Sequence, residues 1–418
     1  MTALERTKPT IDEQVEILMS GAEYGDPQIK ENMTRELRER LIEAEREGRP
    51  LKVYCGYDPR TTDLHLGHTI TMRKLRQFQE LGHEVTFLIG NFTSLIGDPS
   101  DQDKVRAQLT PEQVEANART YAEQAFKILD RAKTRVRYNA EWLAPLTFKD
   151  LIQFASHFTV QQFLQRENFK KRLDAGEPIW LHETFYSLMQ AYDAVAQETD
   201  VQVGGQDQLF NIVVAGRQLM ERLGMRPQVA IIMGELLPGT DGEVKMSKSL
   251  GNHIPITSTP EDMFGKIMSI PDKAMPIYHK LLLGYSPAQL EAFKASLADG
   301  SLHPRDAKMN LARQIVTIFH GEEGAARGEE HFRTVFQRGE LPDMPDHALR
   351  GASRLVDVIA GLGMTRSKGE ARRLIDAGGI RLNGEKVADA EMSVNLAPGE
   401  TAVLQVGKRQ FVRLVGAK

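Results

Sequence analysis

The chain has 418 residues, 41% of them hydrophobic and 26% charged, which predicts a globular protein of about two to four domains. Its single cysteine, Cys55, excludes an internal disulfide and a zinc cluster built on several cysteines. No apolar run approaches the roughly 20 residues of a membrane span, and the first residues do not resemble a secretion signal, so we expect a cytoplasmic protein without a membrane contact.

The charges are distributed unevenly along the chain. The net charge is −4, but segment 352–418 holds 11 basic and 7 acidic residues, a balance of +4 against −8 for the remainder. This asymmetry predicts an appended module that binds a polyanion. A solvated surface of mixed charge is the alternative.

Segment 51–68, LKVYCGYDPRTTDLHLGH, reads as a strand, a turn-rich loop and a helix that starts near His65. A helix N-terminus exposes unpaired N–H groups that suit a phosphate, and His65 and His68 lie three residues apart on one side of it. Gly67 leaves room for a flat ring against the backbone. We predict a nucleotide triphosphate site, while the tetrapeptide alone is also compatible with a metal pair or with surface histidines.

Other apolar runs predict further strands of one parallel sheet, at 84–90, 134–140, 201–209 and 230–233. Helices are expected over 110–130, 148–173 and 183–196, so strand and helix alternate in right-handed crossovers. Ligands of such sheets bind beyond the carboxyl ends of the strands, where the loop after the second strand carries Asp98. Its carboxylate either meets an ammonium group or caps a turn before Pro99.

The helix predicted over 183–196 has an unusual polar face. Tyr186, Gln190 and Asp193 recur at i, i+4 and i+7, although the rest of the segment is largely apolar. This stripe either faces water or lines a polar pocket. After the last strand, the loop 237–253 (LPGTDGEVKMSKSLGNH) carries Lys245, Ser247 and Lys248.

Together, H-L-G-H after the first strand and K-M-S-K-S after the last resemble the two signatures of class I aminoacyl-tRNA synthetases. Four further stretches are similar to the tyrosyl-tRNA synthetases of bacterial type: YCGYDP at 54–59, TSLIGDPS at 93–100, YSLMQAYD at 186–193 and VGGQDQ at 203–208. The tail 367–387 is similar to a small RNA-binding fold shared with a ribosomal protein.

The resemblance implies an α/β fold: a Rossmann-like parallel-sheet catalytic domain, then a helical domain and a small α+β RNA-binding C-terminal domain. It implies activation of L-tyrosine by ATP with Mg²⁺, transfer of tyrosyl to the terminal adenosine of tRNA(Tyr), a homodimer, and no structural metal. The expected boundaries are a helical lead-in at 1–50, the catalytic domain at 51–257, a helical domain at 258–337, a linker at 338–347 and the RNA-binding domain at 348–418.

The resemblance also implies residue roles. Tyr54 and Asp193 would bind the phenolic hydroxyl. The remaining tyrosine contacts would be Asp98, Tyr186 and Gln190 at the ammonium group, Gln208 near the carboxylate, and Thr93. The ATP contacts would be Cys55, Gly56, Asp58, His65, Gly67, His68, Gly205, Asp207, Lys245, Ser247 and Lys248, of which His65, His68, Lys245 and Lys248 are the expected catalytic residues. Arg366, Lys368, Arg372 and Arg373 would contact tRNA.

Some positions depart from the usual family pattern. Leu66 replaces an isoleucine and Gln206 a serine, while Lys104 and Arg106 do not align cleanly with the basic residues expected after the GDPS loop. Three rival functions are a tryptophanyl enzyme, a small-molecule adenylyl- or cytidylyltransferase, and a non-catalytic RNA-binding protein on the same scaffold. The Tyr54 and Asp193 pair argues against a tryptophanyl enzyme, and the lysine motif argues against a small-molecule transferase. The intact pocket residues argue against a non-catalytic protein.

Overall fold

The computed structural model describes residues 9–100, 109–248, 250–338, 344–365, 367–407 and 410–417. Lys104, Arg106, Ser249, Arg366 and part of the predicted linker, 339–343, lie outside the described residues. The chain divides into a first unit, Met1–Thr257 with Pro276–Phe293, and a second unit, Ser258–Met275 with Lys294–Lys418. The domain boundaries given above remain predictions.

Five parallel strands form the sheet of the first unit in the order β3-β2-β1-β4-β5. They are β1 (Lys52–Tyr57), β2 (Glu84–Ile89), β3 (Thr134–Tyr138), β4 (Val201–Gly205) and β5 (Val229–Met233). The chain first builds outward on one side of β1 and then on the other, so the strand order reverses between β1 and β4. In open α/β sheets this switch point opens a crevice at the carboxyl ends of the strands. The predicted α/β class with a parallel sheet is confirmed.

The helices in chain order are α1 (Ile11–Met19), α2 (Pro27–Glu47), α3 (Thr69–Glu80), α4 (Pro111–Ala118), α5 (Tyr121–Ala125), α6 (Ala140–Leu143), α7 (Phe148–Ala155), α8 (Val160–Leu164), α9 (Glu167–Asp174), α10 (Leu181–Ala196), α11 (Arg217–Arg222), α12 (Pro260–Met268), α13 (Met275–Leu283), α14 (Pro287–Ala298), α15 (Pro304–Phe332), α16 (Leu355–Gly361) and α17 (Lys368–Asp376). None of the helices in the described ranges combines the length and the apolar character that crossing a membrane requires.

Two of the predicted helices are interrupted. The helix expected over 110–130 is split into α4 and α5, and at the break Thr120 and Gln124 both donate to the carbonyl of Thr62. The helix expected over 148–173 is three short helices, α7, α8 and α9. At the first break, Thr159 caps α8 by accepting the N–H of Gln162. The apolar periodicity was correct, but it does not reveal such internal caps.

The first residues described form two helices, α1 and α2, and α2 contacts strand β5 of the sheet. Thr10 caps α1, and Asp26 with Pro27 starts α2. Between them, Tyr24 donates to the carbonyl of Ala230 in β5. From α2, the Arg40 guanidinium lies 2.6 Å from the buried carboxylate of Asp200.

The C-terminal part of the second unit is a small α+β fold. Its sheet has the order β6-β12-β11-β8-β9 and is flanked by α16 and α17, and two short strands pair separately. The strands are β6 (Asp346–Arg350), β7 (Ser353–Arg354), β8 (Ile380–Leu382), β9 (Glu385–Lys386), β10 (Ser393–Val394), β11 (Thr401–Val406) and β12 (Gln410–Ala417). Asn383 and Gly384 both have positive φ in the predicted hairpin turn. Because β6 begins at Asp346, the end of the predicted linker is a strand.

Candidate active site

A cavity of about 380 Å³ opens at the carboxyl ends of β1, β2 and β4 in the first unit. Its volume is in the range of small-molecule sites. All residues predicted to bind an amino acid or a nucleotide line it: Tyr54, Cys55, Gly56, Asp58, His65, Gly67, His68, Thr93, Asp98, Tyr186, Gln190, Asp193, Gly205, Asp207, Gln208, Lys245, Ser247 and Lys248. The polar stripe of α10 therefore faces this pocket and not bulk water.

One end of the cavity presents a buried acid and a buried phenol. Asp193 accepts hydrogen bonds from Trp142 Nε1 at 2.7 Å and from Asn139 Nδ2 at 3.3 Å. Burial nevertheless raises the pKa of Asp193 to about 8. The hydroxyl of Tyr54 is buried and has no hydrogen-bond partner among the described residues. A buried polar group without a partner is costly, so this end suits a ligand hydroxyl that both donates and accepts.

A second acid, Asp58, lies between two residues predicted for the amino acid. Thr93 Oγ1 donates to Asp58 Oδ1 at 2.7 Å, and the Tyr186 hydroxyl donates to Asp58 Oδ2 at 3.2 Å. Burial raises the pKa of Asp58 to about 6. The resemblance assigned this residue to the nucleotide, but its contacts place its carboxylate among the groups assigned to the amino acid.

Asp98 caps the turn, as one of the two alternatives had it, and its contact with an ammonium group remains a prediction. One carboxylate oxygen accepts the N–H of Ser100 at 2.8 Å and caps the turn, while the other accepts from Gln208 Nε2 at 2.5 Å inside the cavity. Behind it lies Arg166, a buried guanidinium that donates to Ser100 Oγ at 2.6 Å and to Ser187 Oγ at 2.9 Å. This arginine fixes the loop that carries Asp98.

The two histidines of H-L-G-H lie at the other end of the cavity. A 3₁₀ turn, Leu66–His68, precedes α3, and His68 Nδ1 accepts the backbone N–H of His65 at 3.1 Å. Burial lowers the pKa of His68 to about 4 and that of His65 well below its ordinary value, so both imidazoles are neutral at pH 7. A side chain at Gly67 would place a Cβ 3.1 Å from the His65 ring. Neutral imidazoles here can donate N–H groups to an anion.

The lysine loop adds positive charge at the same end. Leu66 N donates to Ile254 O and Ile256 N donates to Leu64 O, each at 3.0 Å, so the segment after the loop pairs directly with the histidine motif. Lys245 Nζ lies 3.5 Å from Asp207, and Lys248 Nζ lies 3.4 Å from Asp63. Main-chain hydrogen bonds therefore join two motifs that lie about 190 residues apart in the sequence.

Several polar residues of this site were missed by the sequence analysis: Asn139, Trp142, Arg166, Ser100, Ser187 and Asn211. Asn139 had a detectable signal, because it ends a predicted strand at the edge where ligands bind. Trp142 and Arg166 had none, since nothing in the sequence around either residue marks it as part of a site. Within the described ranges, no group of three His, Cys, Asp or Glu side chains is arranged to hold a metal ion.

The residues predicted to contact tRNA lie in the second unit, at α17. Lys368 pairs with Asp357 at 2.9 Å and Arg372 pairs with Glu391 at 3.0 Å, while Arg373 is exposed on the same helix. The fourth residue, Arg366, lies outside the described residues.

Two family models match the chain. The model described as tRNA synthetases class I (W and Y) matches residues 46–337, and the model described as the tyrosine–tRNA ligase SYY-like C-terminal domain matches residues 336–414. Among curated relatives, a tyrosine–tRNA ligase of Moorella thermoacetica is 47% identical over 403 residues, covering 96% of this chain and 95% of the relative. One of Thermotoga maritima is 46% identical over 381 residues, covering 91% and 94%.

Solved structures with a similar fold include a C-terminally truncated mitochondrial tyrosyl-tRNA synthetase of Aspergillus nidulans, with a TM-score of 0.61 at 22% identity over 77% of this chain and 94% of that one. The tyrosyl-tRNA synthetase of Archaeoglobus fulgidus, solved with L-tyrosine, gives 0.60 at 23% identity over 77% and 100%. At these identities the likeness concerns the fold alone.

Proposed function

We propose roles for the residues of this cavity from one premise: the chain belongs to the class I tRNA synthetase family of the tryptophan and tyrosine enzymes, and it acts as a tyrosine–tRNA ligase. It uses ATP to activate L-tyrosine as tyrosyl-adenylate, releases pyrophosphate, and then transfers the tyrosyl group to the terminal adenosine of tRNA(Tyr). The residue roles rest on one observation: the same cavity has an acid and a phenol at one end and imidazoles and lysines at the other.

At the first end, Tyr54 and Asp193 bind the phenolic hydroxyl of the substrate. The substrate hydroxyl can donate to one of these groups and accept from the other, which satisfies the Tyr54 hydroxyl. Phenylalanine would leave both groups buried without a partner. Sites of this kind reject the analogue that lacks the hydroxyl by about 10⁴ to 10⁵, a range for which tyrosyl-tRNA synthetases are themselves the standard example.

In the middle of the cavity, acceptors bind the substrate ammonium group. Asp98 supplies a carboxylate, and Gln190 supplies an amide oxygen that is buried without a hydrogen-bond partner among the described residues. Tyr186 supplies a hydroxyl oxygen, since its proton is donated to Asp58. Thr93 orients Asp58, and Gln208 lies toward the substrate carboxylate.

The second end binds ATP, which enters with Mg²⁺ held mostly by phosphate oxygens and water. His65, His68, Lys245 and Lys248 contact the phosphates, with Ser247 beside the lysines. Asp207 and the backbone of Gly205 bind the ribose. Gly56, Gly67 and Cys55 line the nucleotide, where the absence of side chains at the glycines permits close approach.

Activation needs no protein nucleophile. The substrate carboxylate attacks the α-phosphate and pyrophosphate leaves, so the enzyme contributes in-line positioning and positive charge where negative charge develops. The thiol of Cys55 takes no covalent part, because burial raises its pKa to about 11 and keeps it protonated at neutral pH. Lys245 and Lys248 exchange their carboxylate partners for phosphate oxygens as the reaction proceeds.

For the transfer step, the basic surface of α17 contacts tRNA. Arg373 is exposed on this surface, and Lys368 and Arg372 lie beside it. Arg366 is proposed as a further tRNA contact because the family resemblance implies it. Binding that depends on Lys and Arg is expected to weaken as salt rises.

We assign the enzyme to the cytoplasm as a homodimer. Several large apolar side chains are exposed on helices α7, α8 and α10 of the first unit: Phe148 (77%), Val160 (69%), Leu181 (73%) and Ile152 (57%). A set of this kind marks a protein contact, and a second copy of the chain is the partner that the family implies. Phe148→Asp with Leu181→Asp should convert the dimer to monomer in analytical ultracentrifugation, whereas an unchanged sedimentation coefficient would contradict this surface.

The proposed function is tested by pyrophosphate exchange into ATP with each of the twenty amino acids. Tyrosine alone should support exchange at low concentration, and phenylalanine and tryptophan should not. Exchange driven by tryptophan would instead assign the pocket to the other branch of the family.

A further inference from the structure

One buried amide braces the loop that carries the two lysines. Asn252 is only 7% exposed and uses both ends of its side chain on the backbone of that loop. Its Oδ1 accepts the N–H of Ser247 at 2.8 Å, and its Nδ2 donates to the carbonyls of Lys245 at 3.3 Å and Val244 at 3.4 Å. A single side chain therefore bonds the main chain on both sides of Met246.

Asp241 fixes the orientation of this amide. One of its carboxylate oxygens accepts from Asn252 Nδ2 at 2.5 Å, and the other accepts the N–H groups of Glu243 and Val244, each at 2.8 Å. A carboxylate can only accept, so it selects the NH₂ end of Asn252 and leaves the oxygen for Ser247. Asp241 itself is exposed on the outer side of the loop.

Close packing surrounds this amide and the loop backbone that it bonds. A Cβ at Gly239 would lie 2.3 Å from the Asn252 amide, and Met246 is 1% exposed with its N–H donated to Leu237 O at 2.8 Å. The backbone from which Lys245 projects is thus held between a buried methionine and a buried amide. A lysine ammonium acts at a distance of a few ångströms, and a misplacement of about 1 Å can cost about 100-fold in rate.

We propose that Asn252, oriented by Asp241, is a positioning residue that aims Lys245 and Lys248 at the reacting phosphates. It acts through the loop backbone and touches no substrate. The inference rests on the role of the lysines proposed above. It adds that Asp241, whose side chain is exposed on the outer side of the loop, controls where the two lysines lie.

The test measures single-turnover formation of tyrosyl-adenylate and, separately, the dissociation constant of tyrosine in the full-length enzyme. Asn252→Ala should lower the rate by about 10- to 100-fold and leave tyrosine affinity within about twofold. Asp241→Ala should lower the rate by about 3- to 10-fold alone, but by less than about twofold in the Asn252→Ala background, because the two residues act as one unit. Asp299→Ala is the matched control, since Asp299 accepts the same kind of turn bond from Ser301 N at 2.8 Å and should change nothing.

Three outcomes would overturn the proposal. The first is an unchanged rate of adenylate formation in Asn252→Ala. The second is a lower melting temperature of Asn252→Ala together with a tyrosine affinity that falls by the same factor as the rate, and the third is an additive effect of Asn252→Ala and Asp241→Ala on the rate. Lys245→Ala separates this failure from failure of the proposed function. If Lys245→Ala is slow and Asn252→Ala is not, only the bracing role is wrong; if both are fully active, the assignment of the lysine loop itself is wrong.

Discussion

Burial decides the protonation state of the residues that line this cleft. The acid at the phenol end, Asp193, receives two N–H donors that favour its charged form, yet burial prevails and raises its pKa to about 8. At neutral pH it is therefore largely a neutral carboxyl group, which can donate as well as accept. Such a group can distinguish a phenol from a benzene ring.

Asp193→Ala is expected to reduce the preference for tyrosine over phenylalanine by at least about 100-fold, because the hydroxyl then loses its acid partner. The measurement is kcat/KM in pyrophosphate exchange with each amino acid. The phenylalanine rate is an internal control, since both substrates pass through the same phosphate-binding groups. Preserved selectivity would show that the phenol is bound elsewhere.

The protonation of Asp58 should make tyrosine binding depend on pH, because this carboxyl group lies among the residues assigned to the substrate amino acid. Its pKa is raised to about 6, and only the ionised form favours a substrate ammonium group nearby. We expect kcat/KM for tyrosine to fall as the pH drops below about 6, since this ratio reports groups of the free enzyme. Asp58→Asn should remove this acid limb from the pH profile of pyrophosphate exchange.

The control for this assignment is His68→Asn. The pKa of His68 is lowered to about 4, so its titration lies below the predicted limb and the limb should persist in that variant. If the acid limb of the pH profile disappears in His68→Asn and persists in Asp58→Asn, the limb belongs to His68 and not to Asp58.

At the scale of single residues, sequence reasoning found the groups that stand at strand ends or repeat on one helix face. Tyr186, Gln190 and Asp193 were recognisable because polar side chains interrupt an apolar helix. Trp142 was not, because its bond to Asp193 joins residues 51 positions apart and nothing local marks it. Arg166 was hidden for the same reason, its partners lying on two other segments.

Among the elements, the strand ends carry the site, and Gly90 after β2 is the most constrained of them. A Cβ there would lie 2.1 Å from Asp58 Oδ1 and 2.4 Å from Thr93 Oγ1. Asp58, which follows β1, and Thr93, which follows β2, can therefore keep these positions in the cavity only if residue 90 has no side chain. The sequence run 84–90 predicted the strand but gave no sign of this contact.

Gly90→Ala should raise the KM for tyrosine by about 10-fold or more, because Asp58 and Thr93 must move from their hydrogen-bonded positions. Circular dichroism and the KM for ATP would establish that the fold and the other end of the cleft persist. Gly361→Ala in α16 is the matched control, since nothing lies within 4 Å of a Cβ there. An unaltered KM for tyrosine in Gly90→Ala would contradict the placement of Asp58.

Element boundaries were the weaker part of the sequence prediction. Strand β4 ends at Gly205, earlier than expected, because Gln206–Gln208 turns into a 3₁₀ helix and directs Asp207 and Gln208 into the cavity. The periodicity of apolar residues continues through such turns. Capping side chains and bonds to distant carbonyls decide where an element stops, and these depend on tertiary structure.

For the molecule as a whole, the chemistry described here lies within the first unit, and the basic tail lies within the second. The parallel sheet was predictable from alternating strands and helices, and the tail from its charge balance. Its first strand was not: β6 begins at Asp346 in a stretch whose two prolines indicated a linker. This segment is a strand because it pairs in parallel with β12, which lies about 67 residues further along the sequence.

A chain that ends at Arg338 should keep tyrosine-dependent pyrophosphate exchange within about twofold and lose about 10-fold or more in tRNA charging, because the basic module is proposed to contact tRNA and no other substrate. The cut precedes β6, so no unpaired strand is left behind. Loss of exchange in a folded truncated enzyme would show that the tail supports the active site directly.

We propose that the two ends of one cleft act at separate steps, one in binding tyrosine and one in the chemistry on ATP. Single-turnover formation of tyrosyl-adenylate, followed across tyrosine concentrations in Lys248→Ala, separates the two steps. The plateau rate should fall by about 100-fold or more while the half-saturating tyrosine concentration stays within about twofold. A normal plateau with a raised half-saturating concentration would contradict the claim.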